Sequence, residues 1–189
     1  LAFLSFQWDA KPNASLQRMK EARLLFVQQD IPFHPIKREV AMLLTEFLVY
    51  TLRGEASNPD LYLYIEHSFR WFDMAEEGYV NFHLVFLLKL ARFLGIAPNM
   101  ETFSDGGLFD LTNGHFIPCG MPSETILSAH DAHLLFLLHG ATYETMRDIS
   151  MNRQERARLV RYLSVYYELH AVNFPGLQSL DILQDLFFA

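Results

Sequence analysis

The sequence predicts a mainly α fold: a helical domain interrupted by a small β-hairpin and preceded by a strand at the amino end. Three observations carry this. Apolar residues recur at three- and four-residue spacing in several runs, and capping residues and glycines bound those runs. A 28-residue stretch in the middle, IAPNMETFSDGGLFDLTNGHFIPCGMPS, is punctuated too densely by Pro, Gly and Asn for helix. The first eight residues, LAFLSFQW, have the apolar and aromatic content of a strand, and the turn formers DAKPNAS follow them.

One strand cannot stand alone, so the partners of LAFLSFQW are expected outside this chain, which lacks an initiating Met and reads as truncated at the amino end. After Pro32 the signals turn helical. Pro35 suits a first helical position, and Ile36, Val40, Leu43, Phe47 and Thr51 follow on one face until Gly54. Asn58-Pro59 reads as N-cap and first turn of a second helix, with Leu61, Ile65, Phe69 and Phe72 facing inward and Gly78 beyond its end. The third helix, Tyr79 to Leu94, is apolar nearly all round and ends at Gly95, which predicts the central helix. Asn113-Gly114, between LFDLT and HFIPC, predicts a two-stranded hairpin with a two-residue type I′ turn. Helix returns in SAHDAHLLFLLHG and again from Asn152, where Glu155 completes a capping-box pattern. A short amphipathic helix with Leu177, Leu180, Leu183 and Leu186 closes the chain.

The chain of 189 residues, 51% hydrophobic, has ample apolar surface for one core and is not disordered. Its single cysteine permits no internal disulfide and fits a reducing compartment, the cytoplasm. The amino end has no basic start or cleavage pattern of a signal peptide. The longest apolar run, Leu84 to Leu94, is too short to span a bilayer and contains Lys89 and Arg92.

The net charge of −7 hides a polarised distribution. From Lys11 to Arg38 six basic residues face two acids, and from Arg147 to Arg161 five arginines face two acids. Between Phe93 and Met146 there are six acids and no Lys or Arg.

In order, the blocks SLQRMKEAR, IPFHPIKREVAMLLTEFL, NFHLVFLLKLARFLGIAPNM and YYELHAVNFPGLQSLDIL resemble the RecO family of bacterial recombinational repair proteins, in the form carried by Bacteroidetes. The resemblance covers nearly the whole chain. It implies that residues 1–30 are the carboxy-terminal remnant of an OB-fold and its connection. It also implies that residues 31–189 are a helical domain with a hairpin insert at about 98–122, in the place of a zinc ribbon. Zinc-bearing members carry two C-x-x-C pairs there. Aligned on Pro98, the first pair falls near Phe103 and Gly106 and the second between Ile117 and Met121, and only Cys119 lies in either region. The expected cofactor is therefore none: the zinc site is read as lost, with Phe103, Phe109 and Phe116 filling its place as a hydrophobic core. A metal held instead by His115, Cys119, His130 and His133 is the competing reading. Against it, the histidines read as partly exposed polar residues, and Cys119 as a passive small hydrophobe.

The resemblance further implies a non-enzymatic mediator. It binds single- and double-stranded DNA, anneals strands, and with RecR helps load RecA onto strands coated by single-stranded-DNA-binding protein. The acidic-hydrophobic tail of that coating protein is expected to dock on the helical domain, and the whole is placed in the bacterial cytoplasm with the nucleoid. Arg18, Lys20 and Arg23 are the expected DNA contacts, because OB-folds hold single strands in a basic groove; Lys37 and Arg38, in the first turn of the first helix, join them. Structural ion pairing is the alternative for this cluster. Arg153, Arg156, Arg158 and Arg161 read as a solvated helix face with Glu155 pairing, and Trp71, Phe72, Tyr166 and Tyr167 as core. No phosphate loop, G-x-S-x-G or H-E-x-x-H motif occurs, and Glu76-Glu77 reads as a solvated acidic turn. A helical protein-interaction module without DNA binding is the alternative function, favoured by the acidic total.

Overall fold

The computed structural model describes residues 2–9, 16–54, 56–121, 123–172 and 174–177; residues 10–15, which hold Lys11 and most of the predicted turn formers, and the part of the predicted closing helix from residue 178 on lie outside the described residues. Helices α1 (Pro35–Thr51), α2 (Pro59–Met74), α3 (Phe82–Phe93), α4 (Ala129–Gly140) and α5 (Arg153–His170) form the body. A two-stranded antiparallel ribbon, β1 (Phe3–Asp9) and β2 (Arg18–Phe26), precedes them, and between α3 and α4 lie β3 (Leu108–Asp110), β4 (His115–Ile117) and β5 (Ile126–Leu127), paired in the order β4-β3-β5.

Local signals place the helix ends. Pro35 opens α1, where the His34 side chain accepts from the Lys37 N–H at 3.4 Å. In α2, Asn58 Oδ1 accepts from the Leu61 N–H at 3.0 Å and Pro59 takes the first turn. Ser128 caps α4, and Asn152 with Glu155 forms the predicted capping box on α5. The predicted inward faces are buried, except that Ile36 is exposed. Tyr79–Asn81 is a turn of 3-10 helix, so α3 proper begins at Phe82.

α3 is the axis of the body. Nine of its 12 residues are buried, and it touches α1, α2, α4 and α5. Phe82 stacks on Phe72 with ring centroids 4.2 Å apart and also meets Trp71, Phe69, Phe86 and Tyr143. Tyr166 and Tyr167 are buried as predicted; their hydroxyls donate to the carbonyls of Ile96 and Leu87, each at 2.8 Å.

Three predicted features need correction. The partner of the first strand is not outside the chain: β2 supplies it. The insert is three-stranded, because Ile126–Leu127 pairs with β3 (Leu108–Asp110) on the side opposite β4 (His115–Ile117). The two-residue turn at Asn113-Gly114 is a four-residue connection, Leu111 to Gly114. Only Gly114 takes positive φ there, 67°, while the Asp110 carboxylate accepts from the Thr112 N–H at 2.8 Å and the Asn113 Nδ2 at 2.7 Å. That side chain does what the paired left-handed residues of a type I′ turn would have done.

The insert has an aromatic centre. Phe103 stacks on Phe136 at 3.8 Å and meets Phe116 edge-on at 5.2 Å, and Phe116 meets Phe109 at 4.9 Å. α5 clasps the insert from outside: His170 Nε2 lies 2.7 Å from the Leu111 carbonyl, and a Cβ on Gly114 would come within 3.1 Å of the Tyr166 hydroxyl. Cys119 is a free thiol and is exposed.

Replacing Phe82 with Ala is expected to cost about 3–5 kcal/mol in chemical denaturation, since it empties the stack at the centre of the body. A pH effect follows from His83 on α3. Burial, with the Arg156 charge nearby, pushes its imidazole from 6.5 down to about 3. Between those values the unfolded chain binds more protons, so this contribution to stability is complete above about pH 6.5 and is lost as pH falls toward about 3. Lowering the pH from about 7 to about 5 should therefore remove roughly 2 kcal/mol through this group. His83→Gln, which cannot titrate, should flatten that slope.

Candidate nucleic-acid interface

The predicted cations at 18, 20 and 23 do not share one strand periodicity, because alternation puts even and odd positions on opposite faces. The ribbon resolves this with a bulge. Cross-strand partners run Asp9 with Arg18, Gln7 with Lys20 and Ser5 with Arg23, so β2 uses one residue more than β1 between the last two pairs. Glu21 sits in that interval at φ 49°, the one described residue other than glycine with positive φ. Directly opposed residues point to the same side, so Arg18, Lys20 and Arg23 gather on one face with Ser5, Gln7 and Asp9. The other face carries Leu4, Phe6, Trp8, Met19 and Leu24, all exposed.

Lys20 is ion-paired to Asp9 at 2.6 Å, with both side chains about half exposed, which leaves its charge largely screened and partly cancelled. Among the described residues Arg18 and Arg23 form no ion pair, and both are exposed. The ribbon is seated on α2 at its base. Phe3 is buried against Phe26, Tyr62 and Phe69, and the Arg70 guanidinium lies 4.5 Å from the centre of the Phe26 ring.

The structure separates Lys37 from this set. Its side chain is 1% exposed, donates to the backbone carbonyls of Asp73 at 3.1 Å and Ala75 at 2.6 Å, and pairs with Asp30 at 2.6 Å. An ammonium so enclosed has no face to offer a phosphate. The Lys37 ammonium in turn holds the Asp30 carboxyl below the usual carboxylate range. Its neighbour Arg38 is exposed and lines a cleft of about 640 Å³ with Gln28, Ile31, Ala41, Met42 and Val49.

Two of the arginines of α5, Arg156 and Arg158, are tied into the fold rather than forming a solvated face. Arg158 makes two bonds to the Asp131 carboxylate, at 2.9 and 3.2 Å, and Arg156 donates to the Met151 carbonyl. Glu155 bonds His130 at 2.7 Å as well as capping α5, so His130 is engaged in a helix-to-helix link. His133 lies against the Phe103 ring, and among the described residues no three His, Cys, Asp or Glu side chains gather as a metal ion would need. No described helix is long and apolar enough to cross a membrane.

A family model described as Recombination protein O C terminal matches residues 38–178, from the first turn of α1 to beyond the end of α5. The DNA repair protein RecO of Phocaeicola vulgatus is 41% identical over 99% of this chain and 78% of its own length, and that of Bacteroides fragilis is likewise 41% identical over 99% and 78%. The DNA repair protein RecO of Christiangramia forsetii is 34% identical over 93% of this chain and 72% of its own length. No solved structure matches. The five-helix body is thus the part that the family model describes, the ribbon falls within the reach of the relatives, and the chain belongs to the RecO family.

Proposed function

We propose that this protein is a non-enzymatic mediator of recombinational DNA repair. Its role is to bind single- and double-stranded DNA and anneal complementary strands, and to help load RecA, together with RecR, onto strands coated by single-stranded-DNA-binding protein. The observation that carries the DNA part is the gathering of Arg18, Lys20 and Arg23 on one face of the ribbon by the bulge at Glu21. Phosphates are held by such rows of cations, through release of condensed counterions, without any chemistry on the strand. In this reading the ribbon belongs to an OB-fold that ends near residue 30, and residues 31–189 form the helical domain. The three-stranded insert keeps the position of a zinc ribbon and uses Phe103, Phe109 and Phe116 where other members use metal. The protein works in the bacterial cytoplasm.

The cleft along α1 suits the acidic-hydrophobic tail of the coating protein. Its walls are apolar at Ile31, Ala41, Met42 and Val49; Arg38 in the same lining can meet a carboxylate, and Glu46 confines that role to the Arg38 side. A helical interaction module without DNA binding is the reading that the basic-free stretch from Phe93 to Met146 favours. DNA titrations separate the two.

Binding of fluorescent single-stranded DNA, followed by anisotropy over a range of salt concentrations, should weaken steeply with salt. Arg18→Ala and Arg23→Ala should each reduce the log–log slope by about 0.7, the value for one phosphate contact on a single strand. Absence of binding at low salt by folded protein would favour the interaction module. The bulge gives a sharper prediction. Glu21→Gly, which accepts positive φ without strain, should keep the affinity; Glu21→Val, strained there, should lower it as Arg23→Ala does, even though a repelling carboxylate has been removed.

A further inference from the structure

The segment that joins the ribbon to α1 is held by one buried cluster. The Asp73 carboxylate, at the end of α2 and 4% exposed, accepts from three successive backbone N–H groups: Gln29 at 2.7 Å, Asp30 at 3.0 Å and Ile31 at 2.9 Å. Lys37 closes the cluster from α1. Its ammonium donates to the last carbonyls of α2, where the helix dipole favours a cation, and pairs with Asp30 of the joining segment. The rings of Tyr79 and Phe72 lie 4.9 and 5.7 Å from the same nitrogen, so water is kept away on that side. Three parts of the chain, the joining segment, α1 and the end of α2, thus meet on one charge.

We infer that Lys37 is a positioning residue: with Asp73 and Asp30 it locks the joining segment to α2 and so sets the attitude of the Arg18, Lys20 and Arg23 face relative to the helical body. Any effect of Lys37 on nucleic-acid binding then passes through the ribbon, not through a contact of its own with phosphate. The binding arm of this inference rests on the proposed DNA role; the structural arm does not.

Lys37→Met removes the charge and all its donors at similar length, and Asp30→Asn removes the ion pair while leaving the two carbonyl bonds, so that a folded variant remains should the first lose its structure. Far-ultraviolet circular dichroism checks that the helical body persists. Time-resolved fluorescence anisotropy of Trp8, in a Trp71→Phe background, reports ribbon motion, since these are the two tryptophans of the chain. The expected result is a fast depolarising component in Lys37→Met, and a weaker one in Asp30→Asn, that is absent with Lys37 and Asp30 intact. In salt-titrated binding of a single-stranded oligonucleotide, Lys37→Met should lose affinity severalfold with an unchanged salt slope, whereas Arg23→Ala lowers the slope. A slope lowered in Lys37→Met as in Arg23→Ala would overturn the inference, because it would count a lost phosphate contact. Unchanged Trp8 motion in both variants would overturn it too. Failure of the parent protein to bind DNA would overturn the proposed function alone, and the Trp8 measurement would still decide the role of the cluster.

Discussion

The rest of the structure depends on burying α3, of whose 12 residues only Lys89, Arg92 and Phe93 escape full enclosure. A helix whose sequence reads FHLVFLLKLARF has no polar face wide enough to meet water, so other elements must enclose it. α1 and α2 do so from the amino side, α4 and α5 from the carboxy side, and the long excursion between α3 and α4 folds back as the insert. Enclosure has a polar cost, which tyrosines offset. Tyr64 donates to the Phe86 carbonyl and Tyr167 to the Leu87 carbonyl, each at 2.8 Å, so that two aromatic rings fill space against α3 and their hydroxyls engage its backbone. Burial raises the pKa of both phenols, keeping them as neutral donors.

The ribbon stands in contrast to that body. Apart from Phe3 and the partly buried Phe26 at its base, its residues are exposed on both faces, and two strands alone are marginal in water. What makes it specific is therefore its attachment: Phe3 and Arg70 at α2, and the joining segment held by Asp73 and Lys37. A ribbon anchored in this way, with Arg18, Lys20 and Arg23 on one face, is what the proposed role of holding a flexible polyanion needs. Along the sequence, the stretch between Phe93 and Met146 has six acids and no Lys or Arg, so the cations of the ribbon are far from it in chain order.

The helices were legible in the sequence because their signals are local. Asn58-Pro59 and the Asn152 and Glu155 box each act within one turn, and the structure uses them as read; Ser128, which the structure adds as the cap of α4, is equally local. β2 was not legible, because RMKEARLLF mixes charge with apolar residues and the bulge at Glu21 breaks the alternation that identifies a strand. β5, two residues long, is too short to show a period at all. The turn at Asn113-Gly114 was read from its own dipeptide, while Asp110, three residues before Asn113, decides its shape. Lys37 shows the limit most plainly. Beside Arg38 in sequence it looks like half of a basic pair, and only contacts with Asp30, Asp73 and Ala75 reveal it as an interior residue. Nothing within a few positions of it carries that information.

The central claim is that single-stranded DNA engages the ribbon while the helical body supports it. Hydrogen–deuterium exchange read by mass spectrometry, with and without a single-stranded oligonucleotide at low salt, tests this most directly. The account predicts slowed exchange in peptides covering β1 and β2 and in the joining segment near Asp30, with α4 and α5 unchanged. Protection confined to the arginines of α5, with the ribbon unaltered, would contradict it.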